Sequence, residues 1–131
     1  MTAVQRRLIA KARRARLKAF APFSKFKVGA AVETPRGRIY TGANVENASY
    51  GLTLCAERVA ILHAVAQGER RFRRLAVVAD TNRLTPPCGA CRQIIWEFCG
   101  DVEVILGNLK GQSAIHRMSA LLPLPFDASL L

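Results

Sequence analysis

The sequence predicts an α/β fold in which helices cover a mixed sheet. Three features carry this. Amphipathic stretches at helical spacing alternate with short apolar runs, the pattern of helices laid over buried strands. A turn at Thr34-Pro35-Arg36-Gly37 joins two strand-like segments into a hairpin. The run Leu75–Ala79 is apolar throughout, and Val102–Leu106 is interrupted only by Glu103, as expected of central strands.

The elements follow in order. From Val4 to Phe20, the residues Val4, Leu8, Ala12, Ala15 and Ala19 recur at helical spacing with Arg and Lys between them, and Ala21-Pro22-Phe23-Ser24 ends the helix. Val28–Glu33 and Arg38–Thr41 are the hairpin strands. The stretch from Gly42 to Tyr50, rich in Asn, reads as a loop. Cys55–Ala66 is a second helix, stopped by Gly68. Leu75–Ala79 is a strand, Cys88–Phe98 a third helix behind Pro86-Pro87, and Val102–Leu106 a further strand. A strand near Ala114 is weakly indicated, and Ser119 is placed to cap a short last helix through Leu122.

The chain has 131 residues, half of them hydrophobic, which suits one domain spanning residues 1–131 around one core. No internal repeat, linker or apolar run long enough for a bilayer interrupts it, and no apolar signal segment is evident. The net charge is +11. Much of the excess lies before Glu33, the first acidic residue, and a second cluster is Arg70, Arg71, Arg73 and Arg74. Such clusters suit nucleic acid or anionic membrane. Without interleaved aromatic residues to stack on bases, solvated charge is the favoured reading and nucleic acid an unlikely partner. The Arg-rich N-terminus also resembles a transit peptide, but it runs into the first strand without a spacer, so it is expected to be part of the domain. The expected location is cytoplasmic.

The chemistry concentrates in Cys55-Ala56-Glu57 and Pro87-Cys88-Gly89-Ala90-Cys91. Three thiolates can hold a zinc ion and leave its fourth position open, as a catalytic zinc requires. Metal is favoured over disulfides because the chain has the apolar residues to build its own core. The pattern C-x-E…P-C-x-x-C is the signature of the zinc deaminases. Cys88 and Cys91 share a helix face at i, i+3. Cys55 also opens a helix, so two helix N-termini are expected to favour thiolate at the metal. Cys55 and Glu57, at i, i+2, do not share a regular helix face, and spacing alone leaves open how both reach one pocket. Cys99 lies eight residues beyond Cys91, about 12 Å along a helix axis, out of reach as a fourth ligand. Zinc with three thiolates is formally anionic, so something must withdraw charge. Arg58, Arg92 and the helix N-termini are the candidates, with a plain surface role the alternative for Arg58. His63, two turns past Cys55, reads as packing and not as a ligand.

These residues resemble the small, all-cysteine cytidine deaminases. The likeness extends from Ala21-Pro22-Phe23-Ser24-Lys25-Phe26 through Asn44-Val45-Glu46-Asn47, both cysteine segments, and Leu121-Leu122-Pro123 with Pro125-Phe126. The resemblance implies a three-layer α/β/α sandwich, one zinc per chain on Cys55, Cys88 and Cys91, and Glu57 as the proton shuttle while zinc-bound hydroxide attacks C4. It implies hydrolysis of cytidine and 2′-deoxycytidine to the uridines and ammonia, in pyrimidine salvage. It further implies nucleoside contacts from Phe26, Asn44, Val45, Glu46 and Ala56, and a homotetramer in which Phe126 reaches a neighbour's site. The basic N-terminus departs from the family pattern without touching these motifs. Alternatives are a deaminase of other substrate, blasticidin-type or acting on polynucleotide, or a structural zinc module that binds nucleic acid.

Overall fold

The computed structural model describes every residue, Met1–Leu131. Its elements are α1 (Ala3–Arg16), β1 (Val28–Glu33), β2 (Ile39–Ala43), α2 (Ala56–Ala66), β3 (Arg74–Ala79), α3 (Gly89–Cys99), β4 (Glu103–Asn108), β5 (Ser113–Arg117) and α4 (Met118–Leu121), with single 3₁₀ turns at Tyr50–Leu52 and Ala128–Leu130. One sheet holds all five strands in the order β2-β1-β3-β4-β5. β1 is antiparallel to both neighbours, β3 and β4 are parallel, and β5 closes the far edge antiparallel. The sheet is therefore mixed, as the sequence suggested.

Side chains alternate between the two faces of a strand, and each face has its own apolar cluster. On one face Leu8 and Ala12 of α1 meet Ala31, Ala76, Val78 and Ile105. On the other, Ala56, Ala60, Ile61 and Ala64 of α2 and Ile95 of α3 meet Val28, Ala30, Val32, Leu75, Val77, Val104 and Leu106. Helix, sheet and helices thus form three layers. No helix is long and apolar enough to cross a membrane.

Local signals explain most boundaries. Thr2 and Gln5 form a reciprocal capping box at the start of α1. Gln5 Nε2 also donates to Glu103 Oε1 at 2.8 Å. Arg74, which the sequence groups with a solvated cluster, instead pairs with Glu33 at 2.5 Å and Glu103 at 3.2 Å, tying β1, β3 and β4 together.

Two boundaries depart from expectation, and one faintly signalled element is borne out. α1 ends at Arg16 and not near Phe20, because Phe20 is drawn into backbone pairing with the loop after β2. Its N–H donates to Asn44 O at 2.9 Å, and its carbonyl accepts from Glu46 N at 2.8 Å. Long-range pairing outcompetes helical continuation there. The weakly indicated strand near Ala114 is real and forms the sheet edge. Ser119 does not cap α4: Arg117 occupies the cap position, and the Ser119 N–H donates to Asp101 Oδ1 at 2.8 Å.

The approach of α2 to the sheet positions the site. Ala56, Ala60 and Ala64 are fully buried on its inner face, and β2 presents Gly42 beneath them. A Cβ at Gly42 would stand 2.4 Å from Ala60 N and 2.8 Å from Ala56 O, both rigid backbone atoms. Gly42→Ala is therefore expected to force α2 outward and cost about 1–3 kcal/mol, as overpacking does. Denaturant unfolding should read this as a lowered midpoint, and an unchanged midpoint would refute the close-approach argument.

Candidate active site

β2 and β3 both run antiparallel to β1, so they are parallel to each other and leave the sheet at the same edge. α2 follows β2 and α3 follows β3, so both helices begin at that edge. Cys55 is the N-cap of α2 and Cys88 the N-cap of α3, with extended backbone at each (ψ 155° and 168°). Cys91 lies in the first turn of α3 and is buried. The Sγ atoms of Cys55, Cys88 and Cys91 lie within 4.8 Å of one another.

This geometry answers the question that spacing left open. Cys55 stands outside the helix in an extended conformation, so helical periodicity does not set the direction of its side chain. Glu57 is inside the first turn and 5 % exposed. Cys55 and Glu57 line one cavity of about 170 Å³, together with Phe26, Asn44, Ala56 and Cys88. Its remaining walls include Val28, Val77, Thr85 and Pro86. Sequence reading missed those four. Val28 and Val77 look like ordinary core residues, and only the adjacency of Thr85-Pro86 to the P-C-x-x-C segment hinted at the others.

The electrostatics suit a metal. The neighbouring Cys91 thiol and then the Arg58 guanidinium hold the Cys55 thiol down at about 5 despite its burial. The Cys91 thiol is correspondingly pushed up, first by Cys55 and then by burial. The Cys55 thiol is thus biased toward thiolate, and a cation can take the place of a proton within the cluster. Arg58 Nη2 lies 3.4 Å from Cys55 Sγ and 3.4 Å from Thr53 O, so Arg58 does reach the sulfurs. Arg92 does not. Its Nε donates to Pro87 O and its Nη1 to Leu121 O, both at 2.8 Å, bracing the segment before Cys88 against the C-terminal end of α4. Burial raises Glu57 to about 7, with the Cys55 thiolate adding to the shift.

The other expected site residues are placed as follows. Asn44 lines the cavity, but its Oδ1 accepts from Val28 N at 2.9 Å and its Nδ2 donates to Phe26 O at 2.8 Å. Glu46 does not line the cavity. Its carboxylate clamps the Phe23-Ser24 turn, accepting from Phe23 N at 3.0 Å, from Ser24 N at 3.1 Å and from the Ser24 hydroxyl. Val45 is exposed outside the cavity, its backbone exchanging hydrogen bonds with Leu54. Phe126 is also outside, 60 % exposed, with its carbonyl held by Gln93 Nε2 at 2.7 Å. Cys99 closes α3 away from the sulfur cluster, its thiol pushed up to about 12 by burial. His63 packs edge-on against Tyr40 at 5.4 Å.

With this arrangement established, relatives can be compared. Residues 2–108 match the family model described as the cytidine and deoxycytidylate deaminase zinc-binding region. The chain belongs to that family. A cytidine deaminase from Sporosarcina psychrophila is 51 % identical over 122 residues, 92 % of this chain and 90 % of that protein. One from Halalkalibacterium halodurans is 52 % identical over 122 residues, 92 % of each chain. The crystal structure of a cytidine deaminase from Burkholderia pseudomallei superimposes with a TM-score of 0.90 at 48 % identity, covering 96 % of this chain and 100 % of that one.

The family's zinc fits the residues present. Three convergent sulfurs, one of them biased toward thiolate, sit at two helix N-termini with a guanidinium beside them. Cys55→Ala, Cys88→Ala and Cys91→Ala should each lose the metal, whereas Cys99→Ala should keep one zinc per chain. Metal analysis of the purified variants decides this. Zinc loss from the Cys99 variant would refute the three-sulfur assignment.

Proposed function

We propose that this protein hydrolytically deaminates cytidine and 2′-deoxycytidine to uridine and 2′-deoxyuridine with release of ammonia, as the names of its relatives indicate for them. The observation that carries the reading is one small cavity walled by two of the three clustered cysteines and by a buried glutamate. At about 170 Å³ it is a small cavity, suited to a single pyrimidine base and not to a larger group.

Zinc, when bound, acts as Lewis acid and acidifies water at neutral pH. The chain's own residues would do the rest. Glu57, raised to about 7 by burial, is matched to accept a proton from the attacking water and return protons to ring N3 and to the departing amine. Arg58 offsets the thiolate charge. The N–H of Ala56, in the first turn of α2, has no helical acceptor and reads the pyrimidine edge together with the Glu57 carboxyl. Phe26 forms a wall against the base. Asn44 keeps one amide hydrogen and one oxygen lone pair for the ribose. Glu46 accepts three hydrogen bonds, and its carboxylate has about four acceptor positions, leaving one for a ribose hydroxyl. Val45 serves through its backbone, holding this loop in place.

We read residues 1–131 as one catalytic domain acting on free nucleosides in pyrimidine salvage. We place this activity in the cytoplasm. We also infer a homotetramer with composite sites. Phe126 is anchored through its backbone but leaves its ring uncovered, and Phe20, Phe23, Tyr50 and Leu52 add exposed apolar surface. A neighbour's Phe126 would cover the nucleoside and exclude water. A non-catalytic zinc module gives buried Glu57 no role.

Incubating the zinc-loaded protein with cytidine and following uridine and ammonia tests the reading directly. Glu57→Gln should keep zinc and fold while turnover drops by at least about 10²- to 10⁴-fold, the usual worth of general acid–base catalysis. Near-normal turnover in that variant would remove Glu57 from the mechanism. Assembly has its own test. Phe126→Ala and Glu57→Gln chains, each impaired alone, should regain partial activity when mixed, because some sites then combine an intact Glu57 with a neighbour's intact Phe126. A monomer by light scattering, or no gain despite proven subunit exchange, rules out composite sites.

A further inference from the structure

The basic charge of α1 is not spread evenly. Arg6, Arg13 and Arg16 each turn a guanidinium onto a backbone carbonyl, of Met1, Leu109 and Lys27 respectively. Arg7, Lys11, Arg14 and Lys18 make no side-chain hydrogen bond or ion pair. Those four recur at steps of four, three and four residues, which places them along one face of the helix and its terminal turn; Lys18 N donates to Ala15 O at 2.9 Å. They line a groove of about 590 Å³ whose other side is Arg38 and the Ile39–Thr41 stretch of edge strand β2. Arg38 is partly compensated by Glu69 at 3.5 Å. The four on α1 have no acid near them in the sequence, since none precedes Glu33.

We propose that this groove is a second binding site, for the phosphate backbone of a nucleic acid, bound without base readout and without deamination. The four cations span about 16 Å at 1.5 Å per residue. One strand of a duplex presents a phosphate about every 3.4 Å of axis, so roughly five phosphates face that length. The four-cation stripe carries no aromatic, and the one aromatic lining the groove, Tyr40, is engaged by Glu69 through its hydroxyl and by His63 edge-on, which favours the backbone over the bases. A concave groove fits a rod-like phosphate backbone better than a flat bilayer. A second copy of this chain is a poor occupant: of nine acidic residues, Glu33, Glu46 and Glu57 are buried, Glu69, Asp101, Glu103 and Asp127 already have partners, and only Asp80 and Glu97 are left to meet four cations. The groove shares no residue with the cysteine-lined cavity. α1 lies on the sheet face opposite α2 and α3, so a strand held there does not deliver its bases to Glu57.

The test uses the full-length zinc-loaded protein and a fluorescent 20-base-pair duplex followed by anisotropy. Binding should weaken about 10²-fold between 50 and 200 mM salt, as about four phosphate contacts require. The variant Arg7→Gln/Lys11→Gln/Arg14→Gln/Lys18→Gln should lose most of that affinity and most of the salt slope, with Arg7→Gln/Arg14→Gln losing about half the slope. Cytidine turnover reports that each variant is folded and should not change. A control of equal charge, Arg71→Gln/Arg73→Gln/Arg83→Gln/Lys110→Gln, should bind nearly as the parent does. Equal losses in both quadruple variants would mean net charge alone attracts the duplex, and would overturn the proposal. So would binding to phosphatidylserine vesicles but not to the duplex, or release of ammonia from cytosines within a bound single strand.

Discussion

The site depends on two helix N-termini being brought to one edge of the sheet. β1 lies between β2 and β3 and runs against both, so the chain leaves β2 and β3 in the same direction. The helices that follow then begin side by side, and their cap positions, Cys55 and Cys88, face the same space. A helix start carries partial positive charge and unsatisfied N–H groups. Two of them converging favour negative charge on the cysteines held there. The alanine face of α2 and the missing side chain at Gly42 make this convergence close enough to matter.

Burial then acts in opposite directions on neighbouring groups. Cys55 is part-buried yet biased toward thiolate, because a neighbouring thiol and a guanidinium both favour the charged form. Glu57, two residues on, has no cation strong enough to offset its desolvation, so its carboxyl is held near neutrality. A sulfur biased toward thiolate beside an acid that readily exchanges its proton is a useful pair for hydrolysis. The split comes from Cys55 standing outside α2 while Glu57 stands inside its first turn.

The polar residues around the cavity hold backbone as much as they offer contacts. Asn44 ties Phe26 to Val28, and Glu46 ties down Phe23 and Ser24. Together they fix the segment that carries Phe26 at the cavity wall. The same segment explains why α1 stops early, since Phe20 pairs with Asn44 and Glu46 backbone. Helix end, loop and cavity wall are one connected hydrogen-bonded unit, and a change in any of them should be felt in the others.

Much of this was legible in the sequence. The three cysteines, the exclusion of Cys99, the mixed sheet and the placement of α2 and α3 follow from spacing and apolar periodicity, because those depend on neighbours a few residues apart. The sulfur role of Arg58 was a candidate, and the structure places its guanidinium there, while Arg92 proved to brace carbonyls. Other features were decided only by tertiary contacts. β5 is a short edge strand with polar residues and half-exposed side chains, so its pattern is faint until β4 pairs with it. The end of α1 is set by a partner about 25 residues away, Asn44 and Glu46. Val28 and Val77 become cavity walls only because the sheet passes beneath two helix starts. Residue type and spacing name the donors of a site; which backbone conformation aims them, and which apolar residues enclose them, depends on elements far apart in the chain meeting at one edge.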